Sequence, residues 1–185
     1  MKEIPVVNSW DEYFYNFCLN TAGNSKCLSR KIGAILVRDK RVISTGYNGP
    51  PEGIQRCDER WKIDDALMIE FGKLLQSGKA QNASELRGKC PRLVMGFKSG
   101  EGLDWCVAGH AEENAIINAA RMGVCAKDAT MYMTCGVPCT KCLVKVINVG
   151  IRNLVVTSFN LYDISSEYLV KEAKLNVRLY DFLEK

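Results

Sequence analysis

From about residue 110 onward, helix and strand patterns alternate without a break, and no other feature of the chain restricts its fold as much. A helical run from about His110 to Met122 is closed by Gly123, and a strand pattern covers Thr130 to Thr134. A helix from about Cys139 to Val149 follows, closed by Gly150, then a strand from Asn153 to Thr157, a helix from Ile164 to Ala173 and a last strand near Val177 to Tyr180. Ahead of this series, Ser9 and Glu12 form a capping box. Trp10, Phe14, Phe17, Cys18 and Thr21 then recur at helical spacing, which predicts a helix from Trp10 to near Ala22. Two β-rich runs, Ile32–Val37 and Val42–Tyr47, flank the polar turn Arg38–Arg41 and read as a hairpin. The string β-β-α-β-α-β-α-β implies a sheet covered by helices on both faces.

Between Gly49 and about Ala108 the periodicity weakens. One helical candidate remains there, from Arg60 to Leu75, carried by Trp61, Leu67, Met68, Phe71, Leu74 and Leu75. The expectation is a single domain over residues 1–185, with an insertion at about 54–107. With 47% apolar residues, a chain of 185 can bury a real core.

The 25 basic and 21 acidic residues are spread along the chain and leave a net charge of +4. That balance suits a small anionic substrate. A clustered basic stripe, which would argue for long nucleic acid, is missing. Residues Met1 to Ser9 hold too few apolar side chains for a signal-peptide core, and no apolar stretch approaches the ~20 residues of a membrane span. Nine cysteines without an export signal point to a reducing compartment, so the cytoplasm is the expected location and thiols are expected to act as ligands or core residues.

His110, the only histidine, is followed at once by Ala111 and Glu112, and Pro138-Cys139-Thr140-Lys141-Cys142 comes after a gap of 25 residues. Alone, a C-x-x-C pair also fits half of a four-cysteine structural site, a redox motif or chance. Together the two halves make H-A-E followed by P-C-x-x-C, the pattern of zinc deaminases. Zinc takes four tetrahedral ligands, and a catalytic site supplies three, here His110, Cys139 and Cys142, leaving the fourth position to water. Two thiolates neutralise the divalent charge, and their place at a helix start favours the ionised form. Glu112, two residues beyond the histidine, is near enough to exchange a proton with that water without binding the metal.

Around these motifs the chain resembles the deoxycytidylate (dCMP) deaminases, within the wider cytidine deaminase superfamily. The resemblance rests on Ser29–Ala34, on Ser44–Gly53 with its G-Y-N-G-x-P-x-G stretch, on H-A-E-x-N-A-I from His110 to Ile116, and on Pro138–Cys142. It implies an α/β protein of three layers, α/β/α, with a central mixed five-stranded sheet and helices on both faces. The activity it implies is zinc-dependent conversion of dCMP and water to dUMP and ammonia. By the same resemblance Asn48 bonds the deoxyribose, the Ala111 backbone holds the pyrimidine carbonyl, and Ser29 and Arg30 are candidates for the phosphate. It also implies a homo-oligomer, with dCTP (and Mg2+) as activator and dTTP as inhibitor. Cys57, Cys90 and Cys106, with Asp58 or another thiol, are candidates for a second, structural zinc, although their spacing is irregular.

Two other readings compete. A superfamily deaminase acting on dCTP, on modified dCMP or on adenosine in tRNA would keep the same zinc motif; the tRNA version conflicts with the dispersed charge. A zinc protein that senses nucleotides without catalysis would have no use for Glu112.

Overall fold

A computed structural model describes residues 7–79, 88–98 and 100–183. The chain divides into two compact units, one of Met1–Ser25, Ile32–Asn48 and His110–Lys185, the other of Lys26–Lys31 and Gly49–Gly109.

The first unit is built on a sheet of strands β1 (Gly33–Arg38), β2 (Arg41–Tyr47), β3 (Thr130–Met133), β4 (Asn153–Val156) and β5 (Asn176–Leu179), in the order β2-β1-β3-β4-β5. β1 runs antiparallel to β2 and β3, while β3, β4 and β5 are parallel, so the sheet is mixed as expected. The β1–β2 hairpin turns on Asp39 and Lys40, both at positive φ, the geometry a two-residue turn needs to follow strand twist. Parallel strands need crossovers, and helices α6 (Thr140–Asn148) and α7 (Ile164–Glu172) supply them between β3, β4 and β5.

Period-two alternation sorts side chains between the two faces. Ile35, Val37, Tyr132 and Val155 meet Phe14 and Cys18 of α1 (Trp10–Gly23) on one face. On the other, Ala34, Leu36, Met131, Met133, Leu154 and Val156 pack with Ala111, Ala115 and Ala119 of α5 (Ala111–Arg121) and with Leu143 and Val146 of α6. Each fully buried Leu, Met or Val contributes about 1.5–3 kcal/mol. The three alanines let α5 lie close to the sheet. At Gly46 of β2 the approach is closest, because an added Cβ would lie 2.2 Å from Ala115 N and 2.3 Å from Ala111 O.

Helix α1 departs from its apolar stripe. Phe14, Cys18 and Thr21 are buried, whereas Trp10 and Phe17 are exposed and a carboxylate, Asp11, is 1% exposed. Asp11 is buried because it has partners: Arg178 of β5 pairs with both oxygens, and Asp181 N donates to Oδ2 at 2.6 Å. Burial alone would raise its pKa, but the guanidinium and the backbone N–H outweigh burial and hold the carboxyl below its ordinary value.

The second unit holds α2 (Cys57–Ile63), α3 (Asp65–Gln76), α4 (Pro91–Val94) and a 3-10 turn at Leu103–Trp105, around Trp61, Leu67 and Leu74. The segment read as an insertion, 54–107, falls within this unit. One continuous helix over Arg60–Leu75 does not form. Asp64 is extended (φ −95, ψ 108), accepts from Leu67 N through Oδ1 and takes the Arg60 guanidinium on Oδ2, which ends one helix and caps the next. The apolar spacing runs through both helices and conceals the break. Among the described residues no helix is long and apolar enough to cross a membrane.

A depressed carboxyl pKa stabilises the fold fully above the unfolded value of about 3.9, and that contribution is lost as pH falls through the lower folded value. Asp11→Asn is therefore expected to destabilise the protein by about 2 kcal/mol at neutral pH, less than a fully buried pair because Arg178 is partly solvated. Urea midpoints compared from pH 7 downward should keep a constant gap above about pH 4 and draw together only as pH falls below it.

Candidate active site

Two helix starts meet on the α5–α6 face of the sheet. His110 is the N-cap of α5 in extended backbone (φ −77, ψ 156), and its imidazole makes no capping bond, so the ring is not spent on the helix. Cys139 is the N-cap of α6 (φ −66, ψ 161), and its carbonyl accepts from Cys142 N and Leu143 N at 3.0 and 2.9 Å. That first turn brings the Cys142 thiol back over the Cys139 thiol. A Lys145–Glu113 ion pair joins α6 to α5 one turn further along.

The ligand atoms of His110, Cys139 and Cys142 all lie within 4.8 Å of one another, the one such metal-competent group among the described residues. His110 Nδ1 is 3.5 Å from Cys139 Sγ and 3.4 Å from Cys142 Sγ. Zinc bonds of ~2.3 Å to sulfur and ~2.0–2.1 Å to nitrogen at a tetrahedral angle require N···S separations of about 3.6 Å. The donor set fits a zinc ion.

Electrostatics agree with that chemistry. The Cys139 thiol is held well below its ordinary value, first by the hydrogen bond from Cys142 and then, against burial, by His110. Cys142 moves the other way, raised by that shared hydrogen bond and by burial. In effect the pair carries one proton, which a divalent cation would displace. The hydrogen bond to Cys139 also raises His110, with burial opposing. Glu112, in the first turn of α5, is 5% exposed.

Other sequence candidates fall in different places. Ala111 is fully buried at the first position of α5, where a backbone N–H has no partner within the helix. Asn48 is buried at the end of β2, and its strand is lashed to α5 by Asn114 Nδ2 donating to Tyr47 O and Asn118 Nδ2 to Thr45 O, both at 2.8 Å. Ser29 and Arg30 are exposed on the 26–31 segment of the second unit. Cys57, Cys90 and Cys106 also belong to that unit. Burial raises the Cys57 thiol, with smaller contributions from Cys90 and Cys106, and Asp58 Oδ1 is buried without a hydrogen-bond partner, yet these residues do not form a group as tight as the first.

Sequence reasoning missed two supports. Thr140 Oγ1 donates to Asp163 Oδ1 at 2.6 Å, tying the start of α6 to the cap of α7, and Ser25 bonds Asn48. Neither carries a local signal, since each pairs residues far apart in sequence.

Residues 8–158 match the family model described as the cytidine and deoxycytidylate deaminase zinc-binding region. A deoxycytidylate deaminase of Schizosaccharomyces pombe is 36% identical over 174 residues, 93% of this chain but 44% of that protein, so the chain spans less than half the length of this relative. The deoxycytidylate deaminase of Enterobacteria phage T2 is 36% identical over 134 residues, 71% of this chain and 70% of that one. Among solved structures, the dCMP deaminase of cyanophage S-TIM5 in complex with dCMP and dUMP aligns with a TM-score of 0.56 at 18% identity, over 91% of this chain and 94% of that one.

Cys139→Ala is expected to lower bound zinc from about one ion per chain to well below half, whereas Cys125→Ala, which alters an exposed thiol, leaves it unchanged. Elemental analysis after dialysis reads both. Because the imidazole and thiols must give up protons, zinc affinity measured by chelator competition should fall as pH is lowered.

Proposed function

Because the chain belongs to the cytidine and deoxycytidylate deaminase family, we propose that it hydrolyses the exocyclic C–N bond of dCMP, giving dUMP and ammonia. The observation that carries this reading is the meeting of one imidazole and two thiols within 4.8 Å, with a buried carboxylate two residues from the imidazole. Relatives that carry the deoxycytidylate deaminase name, and a similarly folded one solved with dCMP and dUMP, support the choice of substrate.

His110, Cys139 and Cys142 would hold a zinc ion, which when bound would activate a water for attack at neutral pH. Glu112 takes the proton of the attacking water and passes it to ring N3, so that C4 gains an oxygen while the ring gains a hydrogen. The same carboxyl then takes the remaining proton of the C4 hydroxyl and gives it to the exocyclic nitrogen, so that the C4–N bond breaks, the C4 carbonyl forms and ammonia departs. Its burial keeps bulk solvent from competing for that proton. Ala111 N–H is the proposed donor to the pyrimidine carbonyl, Asn48 the sugar contact, and Ser29 and Arg30 the phosphate contacts. Kinship is also the ground for proposing a cytoplasmic homo-oligomer activated by dCTP with Mg2+ and inhibited by dTTP.

Glu112→Gln keeps the shape of the side chain and removes its capacity to carry a proton. The variant should hold zinc at the wild-type ratio while kcat falls by about 10³-fold or more; near-wild-type turnover would remove Glu112 from the chemistry. Ultraviolet absorbance should decline when purified protein is mixed with dCMP and stay constant with cytidine. Equal rates on the two would overturn phosphate selection.

A further inference from the structure

The β1–β2 ladder ends at Gly33 opposite Tyr47, yet one more rung is made beyond it. Asn48 N donates to Ile32 O at 3.2 Å, as a strand residue would. Ile32 N, however, donates to the side-chain Oδ1 of Asn48 at 2.8 Å, so a carboxamide oxygen stands where a backbone carbonyl is due. The displaced Asn48 carbonyl accepts from Ser25 Oγ at 2.7 Å, and the same hydroxyl lies 2.8 Å from Asn48 Oδ1. Ser25 is fully buried just beyond the end of α1, where its N–H donates to Ala22 O at 2.9 Å.

This arrangement leaves the Asn48 amide one orientation. Rotating the carboxamide by half a turn would put its NH2 against the Ile32 N–H, exchanging a satisfied bond for a buried donor facing a donor, while the Ser25 hydroxyl, donating its one hydrogen to the Asn48 carbonyl, keeps that carbonyl from returning to the rung and releasing the carboxamide. Oδ1 therefore points into the rung, and Nδ2 is the end directed away from it. The segment is fixed in turn against the start of α5, through Gly46 at Ala111 O and through Tyr47 O at Asn114.

We propose that Ser25 is a positioning residue for the nucleotide: it locks Asn48 so that the carboxamide meets the sugar as a hydrogen-bond donor. This rests on the reading of Asn48 as the sugar contact. Ser25 touches no reacting atom, so its effect should appear in binding more than in turnover.

Ser25→Ala, Asn48→Ala, the double variant and Asn48→Asp test the assignment, read by KM and kcat for dCMP, by dUMP affinity in calorimetry and by zinc content. Ser25→Ala should raise KM and the dUMP Kd about tenfold, equivalent to about 1.4 kcal/mol, with kcat reduced less than threefold and zinc unchanged. In the Asn48→Ala background the same change should add less than twofold, because Ser25 acts through Asn48. Asn48→Asp keeps an oxygen for Ile32 N and Ser25 but has no donor, and it should bind as poorly as Asn48→Ala. If Ser25→Ala fails to fold, Ser25→Cys, which keeps the shape with a weaker donor, should raise KM by a smaller factor. Unchanged dUMP affinity in Ser25→Ala or Ser25→Cys, or additive effects in the double variant, overturns the role of Ser25 alone. Wild-type protein that holds zinc but binds no dUMP overturns the functional reading and this one together.

Discussion

At Gly46 the backbone of β2 lies directly on the backbone of α5, with no space for a single added carbon. Much of the molecule's chemistry follows from this contact. It sets how far the helix stands from the sheet, and the run of alanines at 111, 115 and 119 keeps that distance along the helix. The start of α5 and the end of β2 are thereby fixed against each other, and the first carries His110 and Glu112 while the second carries Asn48. A larger residue at Gly46 would push α5, and the imidazole at its start, away from the sheet.

The second helix start is delivered by the parallel half of the sheet. Chain leaving the carboxyl end of β3 at Met133 enters α6 at Thr140 after a short loop, so the cysteines emerge where loops above parallel strands gather. Both helices present their amino ends, and the dipoles there favour the charged form of a thiol. Geometry and electrostatics thus point to the same residues: the thiol of Cys139, lowered by its hydrogen bonds, sits with Cys142 at separations from His110 that fit a tetrahedral ion.

Much of this was legible in the sequence. The strand and helix series appears within a residue or two of its expected bounds, because apolar spacing and Gly-terminated helices are local signals. The metal cluster was readable because its members sit in two short motifs with no other histidine to compete. Long-range polar partners were not readable. Nothing near Asp11 in sequence signals its burial, because its partners Arg178 and Asp181 lie some 170 residues away. The support of Asn48 by Ser25 escaped for the same reason, whereas the break at Asp64 is local, an Asp cap between Arg60 and Leu67 hidden by apolar spacing that runs through both helices.

The fastening of α1 bears on the order in which the molecule is assembled. Ser9 and Asp11 find their hydrogen-bond partners at Asp181 and Arg178, among the later residues of the chain. The Ser9–Glu12 cap can close α1 locally during synthesis, but the buried Asp11 carboxylate gains its partners only after β5 has emerged. Until then the face of the sheet that α1 covers, including Ile35 and Tyr132, is shielded by a helix held mainly through apolar packing. The pairing of Asp11 with Arg178 thus comes late in the life of a nascent chain, and the interval before it forms is when this apolar face is most open to unwanted association.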